Sequence, residues 1–111
     1  MSDLVLKENP TLKDLQEYIT AMKIERGFNT TDKVMECFYL MEEVGELVKA
    51  VRKNLKNMQI DANKTYDTSV GEEVADVLIF LLNIANLHGI DVEQAFRDKE
   101  EINKRRTWKK V

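Results

Sequence analysis

Apolar residues recur every three or four positions along most of the chain, and the rhythm breaks at a few turn-forming residues, so the pattern predicts four amphipathic helices. The first runs from Leu12 to Glu25, opened by Asn9-Pro10-Thr11 and stopped by Gly27, with Leu12, Leu15, Ile19 and Met22 as its buried stripe. The second runs from about Asp32 to Lys56 behind a cap at Thr30 or Thr31, with Leu40, Val44, Leu47, Val51 and Leu55 on one face. At about 1.5 Å per residue it would be roughly 37 Å long. Residues 57–69 show neither period and are predicted to form a loop, of a length that usually serves a function. Ser69-Val70-Gly71-Glu72 and Asp91-Val92-Glu93-Gln94 have the form of capping boxes. They open a third helix that ends at His88 before Gly89, and a fourth that reaches about Arg105 and is expected to bury Val92, Ala95, Phe96 and Ile102. From Val74 to Leu87 the third helix is apolar almost all round, the pattern of a buried helix.

The expected fold is therefore all-α, a bundle of about four helices in one domain spanning 1–111. A chain of 111 residues with 43% hydrophobic positions closes one modest core and not two. A helical protein this small gains by burying more apolar area against a copy of itself, so a homodimer or homotetramer is expected. No apolar run approaches the roughly 18 residues of a membrane span, the longest stopping at Asn83, and the N-terminal Asp3, Lys7 and Glu8 do not resemble a signal peptide. No membrane association and a cytoplasmic setting are the expectations.

Cys37 and His88 each stand alone in their residue type, which excludes a disulfide framework, Cys/His zinc ligation and any two-histidine metal site. Cys37 reads as a small buried hydrophobe and His88 as a residue of the helix end, where the dipole favours a cation. A net charge of −3 argues against nucleic-acid binding. The charge is nonetheless segregated: residues 97–111 carry seven basic and three acidic side chains, whereas 30–51 and 61–80 each carry five acidic ones.

Two clusters within the acidic segments carry the chemistry, Glu42-Glu43-Val44-Gly45-Glu46 on the second helix and Glu72-Glu73-Val74-Ala75-Asp76 on the third. Residues three apart share a helix face, so Glu43 with Glu46, and Glu73 with Asp76, set carboxylates side by side. At 100° per residue Glu73, Asp76, Phe80 and Asn83 fall within roughly 80° of one another, so the acids lead into an aromatic and an amide. Carboxylates against that much apolar surface are costly unless neutralised, paired or coordinated. Gly45 and Ala75 are small enough to let the helices approach at that level. If the two helices pack antiparallel, four carboxylates converge, and the cation that suits hard oxygen donors without histidine is Mg²⁺, with Mn²⁺ as the alternative. The competing bland reading has these acids as solvated positions paired with Lys49, Arg52 or Lys53.

Glu-Glu-x-x-Glu, 26 residues, then Glu-x-x-Asp in a helix reading VADVLIFLLNIANLHGIDVEQAF resembles the MazG-type nucleotide pyrophosphohydrolases of the all-α NTP pyrophosphatase superfamily, over about positions 12 to 108. The resemblance implies that Glu43, Glu46, Glu73 and Asp76 ligate Mg²⁺, with Glu42 close by as a further contact or the group that orients water. It also implies a phosphate-holding basic element on the last helix, where Lys99, Asn103 and Arg106 resemble the pattern of related dimeric pyrophosphatases. The implied reaction cleaves a nucleoside triphosphate between the α and β phosphates. A substrate with about four negative charges enters an acidic site only through bridging cations. Water oriented by Glu42 or Glu46 would attack the α-phosphorus while Lys99, Arg106 and Lys53, two turns beyond Glu46 near the same face, take up charge on the departing pyrophosphate. Phe80, Asn83, Tyr39 and Trp108 are candidates for base recognition, Asn83 being the most informative because an amide in an apolar run must find partners. Two other readings compete: a phosphoribosyl-ATP pyrophosphohydrolase, which shares the acidic motifs and the bond cleaved, and a noncatalytic helical adaptor whose acids meet a basic partner.

Overall fold

The computed structural model describes residues 2–30, 32–55, 59, 61–63 and 69–111. They form four α-helices, α1 (Leu12–Arg26), α2 (Lys33–Lys53), α3 (Val70–Leu87) and α4 (Val92–Lys104), and no strand among the described residues. Most of the loop predicted for 57–69, the Thr31 cap and the Lys56 helix end lie outside the described residues.

Short-range side-chain hydrogen bonds set the helix starts. At α1, Thr11 Oγ1 accepts from the Asp14 N–H (3.0 Å) and the Asp14 carboxylate accepts from the Thr11 N–H (3.0 Å), a capping box that the sequence reading passed over. Asp32, rather than a threonine, caps α2 by accepting from the Met35 N–H at 2.8 Å. Both arms of the Ser69–Glu72 box form at α3. At α4 only half of the box does: Asp91 accepts from the Gln94 N–H (3.1 Å), while the Gln94 amide donates onward to Asp98 (2.8 Å). Gly27 ends α1 at φ 76°, a left-handed conformation that costs glycine nothing.

α2 packs on α3, α1 crosses α3, and α4 turns by 93° from α3 to rest on α1. Ile19, Met22 and Leu82 form the buried centre, with Leu4, Leu15, Tyr18, Ile79 and Val92 around them. Gln16 fastens the α3–α4 corner to α1. Its Nε2 donates to Asn86 Oδ1 (2.9 Å) and to the Ile90 carbonyl (2.8 Å), and its Oε1 accepts from the Val92 N–H (3.0 Å).

The core is smaller than the helix pattern demands. Val74, Leu78 and Leu81 leave one side of α3 open, so the expectation of a wholly buried helix fails within a single chain. On α4 only Val92 joins the core; Ala95 is exposed, as are Phe96 at 69% and Ile102 at 50%. Val44 and Val51 of α2, and Leu55 just past its end, are likewise exposed, and so is Cys37, contrary to its expected burial. The physical reason is common to all: amphipathicity records how much apolar surface a helix has to cover, not whether the cover comes from the same chain. Among the described residues, no single helix is long and apolar enough to cross a membrane.

Candidate metal centre and adjoining cavity

Tyr39 of α2 meets Phe80 of α3 with ring centroids 6.0 Å apart, and one turn further along each helix towards the acids stand Glu43 and Asp76. The pairings descend along α3 as they ascend along α2, so the two helices run antiparallel, as the convergence of the acids requires. Glu43, Glu73 and Asp76 each bring one carboxylate oxygen to within 4.8 Å of the others. Glu73 is 4% exposed, and its Oε2 is buried without a hydrogen-bond donor among the described residues. Burial, followed by the charges of Asp76 and Glu73, pushes the Glu43 carboxyl above the usual carboxylate range. Asp76 is pushed up in the same way, by burial first and then by Glu73 and Glu72.

The fourth expected ligand, Glu46, is not one of these three. Glu46 is half exposed and lies 3.9 Å from Lys49 Nζ. Glu42 is exposed beside Glu43 and contributes to its raised pKa. The small-residue expectation is corrected too: a side chain at Gly45 would meet nothing within 4 Å, so this glycine does not mediate a close helix approach. His88 is a helix-end residue as expected, its Nδ1 2.9 Å from the Ile84 carbonyl.

A cavity of about 450 Å³ opens beside the cluster, with Asp76 as the shared wall. Tyr39, Phe80 and Asn83, three of the expected base-recognition candidates, line it. Asn83 is 4% exposed and its Nδ2 is buried with no acceptor among the described residues. Residues the sequence reading missed also line it: Lys23 and Arg26 at the end of α1, and Glu36 in the first turn of α2. Lys23 and Glu36 form an ion pair with side chains 11% and 1% exposed. The sequence held a signal for both. Lys23 lies one turn past the buried Ile19, and Glu36 lies two turns before Glu43 on the same face.

The basic residues expected to hold phosphate are not brought to the acids within one chain. Asp76 lies eleven residues before the end of α3, about 16 Å along the axis, and α4 then leaves at 93°. Lys99 and Arg106 are exposed on that far side, and Asn103 is half buried with its Oδ1 lacking a donor among the described residues. Trp108 is exposed and does not line the cavity. Lys53, the last residue of α2, lies seven residues beyond Glu46, about 10 Å along the helix.

Three hard oxygen donors held together at mutual electrostatic cost, one of them a buried oxygen with no proton donor, are the donor set of a divalent cation. A family profile for the MazG nucleotide pyrophosphohydrolase domain matches residues 33–108. The chain is 39% identical over 69 residues to a dATP/dGTP diphosphohydrolase of cyanophage S-2L, which covers 62% of this chain and 51% of the relative. It is 38% identical over 68 residues to a dATP/dGTP diphosphohydrolase of Salmonella phage PMBT28, covering 61% and 22% respectively. These matches thus span about half of one curated relative and less than a quarter of the other. Among solved structures, the cyanophage S-2L MazG-like pyrophosphohydrolase bound to dGDP and three catalytic Mn²⁺ ions per active site superposes with a TM-score of 0.67. It is 31% identical, and the match covers 93% of this chain and 87% of that one. The iMazG protein from Vibrio DAT 722 superposes with a TM-score of 0.63 at 34% identity, covering 86% of this chain and 99% of that one.

Proposed function

The chain belongs to the MazG nucleotide pyrophosphohydrolase family, and from that premise we propose that it hydrolyses nucleoside triphosphates to the monophosphate and pyrophosphate with the help of Mg²⁺ or Mn²⁺. The observation that carries the reading is the cluster of Glu43, Glu73 and Asp76, with oxygens within 4.8 Å of one another and Glu73 Oε2 buried without a donor. These three side chains would hold the cation, with Glu46, one turn beyond Glu43, as the fourth ligand. When bound, the cation cancels carboxylate charge and polarises the phosphoryl oxygens of the substrate.

The chain's own groups do the rest. Glu42 and Glu46, exposed beside the cluster, are placed to orient a water and accept its proton as its oxygen bonds to the α-phosphorus and the bond to the β-phosphate bridging oxygen breaks. The base lies in the cavity against Tyr39 and Phe80, with the Asn83 amide at its edge. Lys23 and Arg26 are the cations on the walls of that cavity. Lys99, Asn103 and Arg106 act on polyphosphate only if a second copy of the chain presents them, which fits a homodimer or homotetramer. Lys53, at the end of α2, draws the leaving pyrophosphate.

The test is a pyrophosphate-release assay over canonical deoxynucleoside and ribonucleoside triphosphates with Mg²⁺ or Mn²⁺. Monophosphate and pyrophosphate are expected in equal amounts, and the Glu43→Gln, Glu73→Gln double variant is expected to lose on the order of a hundredfold or more in rate. Turnover of phosphoribosyl-ATP with none of any free triphosphate would overturn the reading.

A further inference from the structure

α2 has two faces, and a single chain uses one of them. Inward, Glu36 meets Lys23 of α1, Glu43 joins the acids of α3, and Ala50 is buried. Outward, Val34, Phe38, Met41 and Val48 are 59–68% exposed. With Gly45 among them they recur at spacings of four, three, four and three, the rhythm of a coiled-coil seam. At 100° per residue all five fall within about 80° of one another, and no charged residue between Val34 and Val48 shares that arc. Gly45 is the odd member. A side chain there would meet nothing within 4 Å, so nothing within the chain calls for glycine at a mid-helix position where it is unfavourable.

Size is graded along the seam: Phe38 and Met41 are large, whereas Gly45 and Val48 beyond them are small. An antiparallel copy of the same helix reverses the gradient and is therefore complementary to it. With a twofold axis level with Glu43, Met41 faces Gly45 of the partner subunit and Phe38 faces Val48 of the partner subunit, each contact occurring twice. Parallel pairing would instead set Phe38 against its own copy and leave a void between two glycines. Val34, Phe38, Met41 and Val48, with the flanking Val44 and Val51, offer on the order of 600 Å² of apolar surface, near the ~800 Å² that each side of a stable complex buries. We propose that α2 pairs antiparallel with α2 of a second copy of this chain along the seam, and that Gly45 is the socket for Met41 of the partner subunit. The pairing stands whether or not the proposed reaction does.

The experiment is sedimentation of the full chain at micromolar concentration. The unaltered protein is expected to run as two or more chains. Gly45→Leu touches nothing in its own chain and improves helix propensity, so its circular dichroism is expected to be kept while self-association weakens by about tenfold or more. The double variant Met41→Ala, Gly45→Leu exchanges the sizes, and its association is expected to return to within about threefold of the unaltered protein. Should Gly45→Leu lose its helical signal, Val48→Phe repeats the test through the Phe38 contact, with a similar weakening expected. A single-chain mass for the unaltered protein overturns the proposal. So does tighter association of Gly45→Leu, which a filled gap between parallel glycines would give, association that neither single variant changes, or a double variant as weak as Gly45→Leu alone.

Discussion

Glu73 and Asp76 sit three residues apart on α3, and the structure turns that spacing into a liability that a cation relieves. Both Glu43 and Asp76 have their carboxyls pushed above the ordinary range, chiefly by burial and then by neighbouring acids. A carboxyl whose pKa is raised on folding binds protons more tightly in the native state, so its stabilising contribution is present at low pH and is lost as pH rises through the folded value. The melting temperature of the metal-free protein is accordingly expected to rise as pH is lowered from neutral towards the ordinary carboxylate range. Asp14 works in the opposite sense lower on the scale, where the Thr11 N–H and then Lys7 hold its carboxyl below the usual range. Asp76→Asn should flatten the upper part of the profile and raise the metal-free melting temperature at neutral pH by roughly 2–4 °C, read by calorimetry. The same variant should abolish turnover, and full activity would remove Asp76 from the ligand set. The sequence exposed these acids because helix periodicity alone places them on one face. It could not show that Glu46 stands half exposed beside Lys49, because an exposed side chain's direction is set by local contacts and not by register.

At the level of elements, the starts of α3 and α4 were legible because they rest on hydrogen bonds over three residues, as at Ser69 and Asp91, whereas Asp32 took the α2 cap expected of a threonine. The links between elements were not. Gln16 meets Asn86, Ile90 and Val92 across more than seventy positions of sequence, and no local pattern announces such a hub. Gln16→Ala strips the part-buried Val92 N–H and Ile90 carbonyl of their partner at once and should cost about 1–3 kcal/mol, measured by chemical denaturation. A loss below about 0.5 kcal/mol would show that water replaces the amide. The Lys23–Glu36 pair joins α1 to α2 in the same way, and Lys23→Met, which strips the ammonium from a carboxylate 1% exposed, should destabilise by about 3 kcal/mol. The 93° turn into α4 was equally hidden, and it is what separates Lys99 and Arg106 from the acids.

For the whole molecule, the described residues include only four buried apolar ones, Ile19, Met22, Ala50 and Leu82, while Phe38, Met41, Val48, Leu81 and Phe96 face outward. The Cα radius of gyration is 17.4 Å, against about 13 Å for a compact domain of this length. The expected outcome of sedimentation is a mass of at least two chains, and Phe38→Glu, which disturbs no internal packing, should shift it toward one. A monomeric unaltered protein at micromolar concentration would sink the oligomer and with it the role of the α4 cations. The all-α class and the helix order could be read from the sequence, whereas the openness of the single chain could not, since binary patterning is blind to which molecule supplies the cover.

The exposure of Cys37 has a practical side. It is the sole thiol, on the solvent side of α2 and about 120° around the helix from Glu43. A maleimide fluorophore would therefore attach at one defined position without engineered cysteines, and it would sit away from the carboxylates while bordering the outward Phe38. Energy transfer between donor- and acceptor-labelled preparations would then follow subunit exchange in real time.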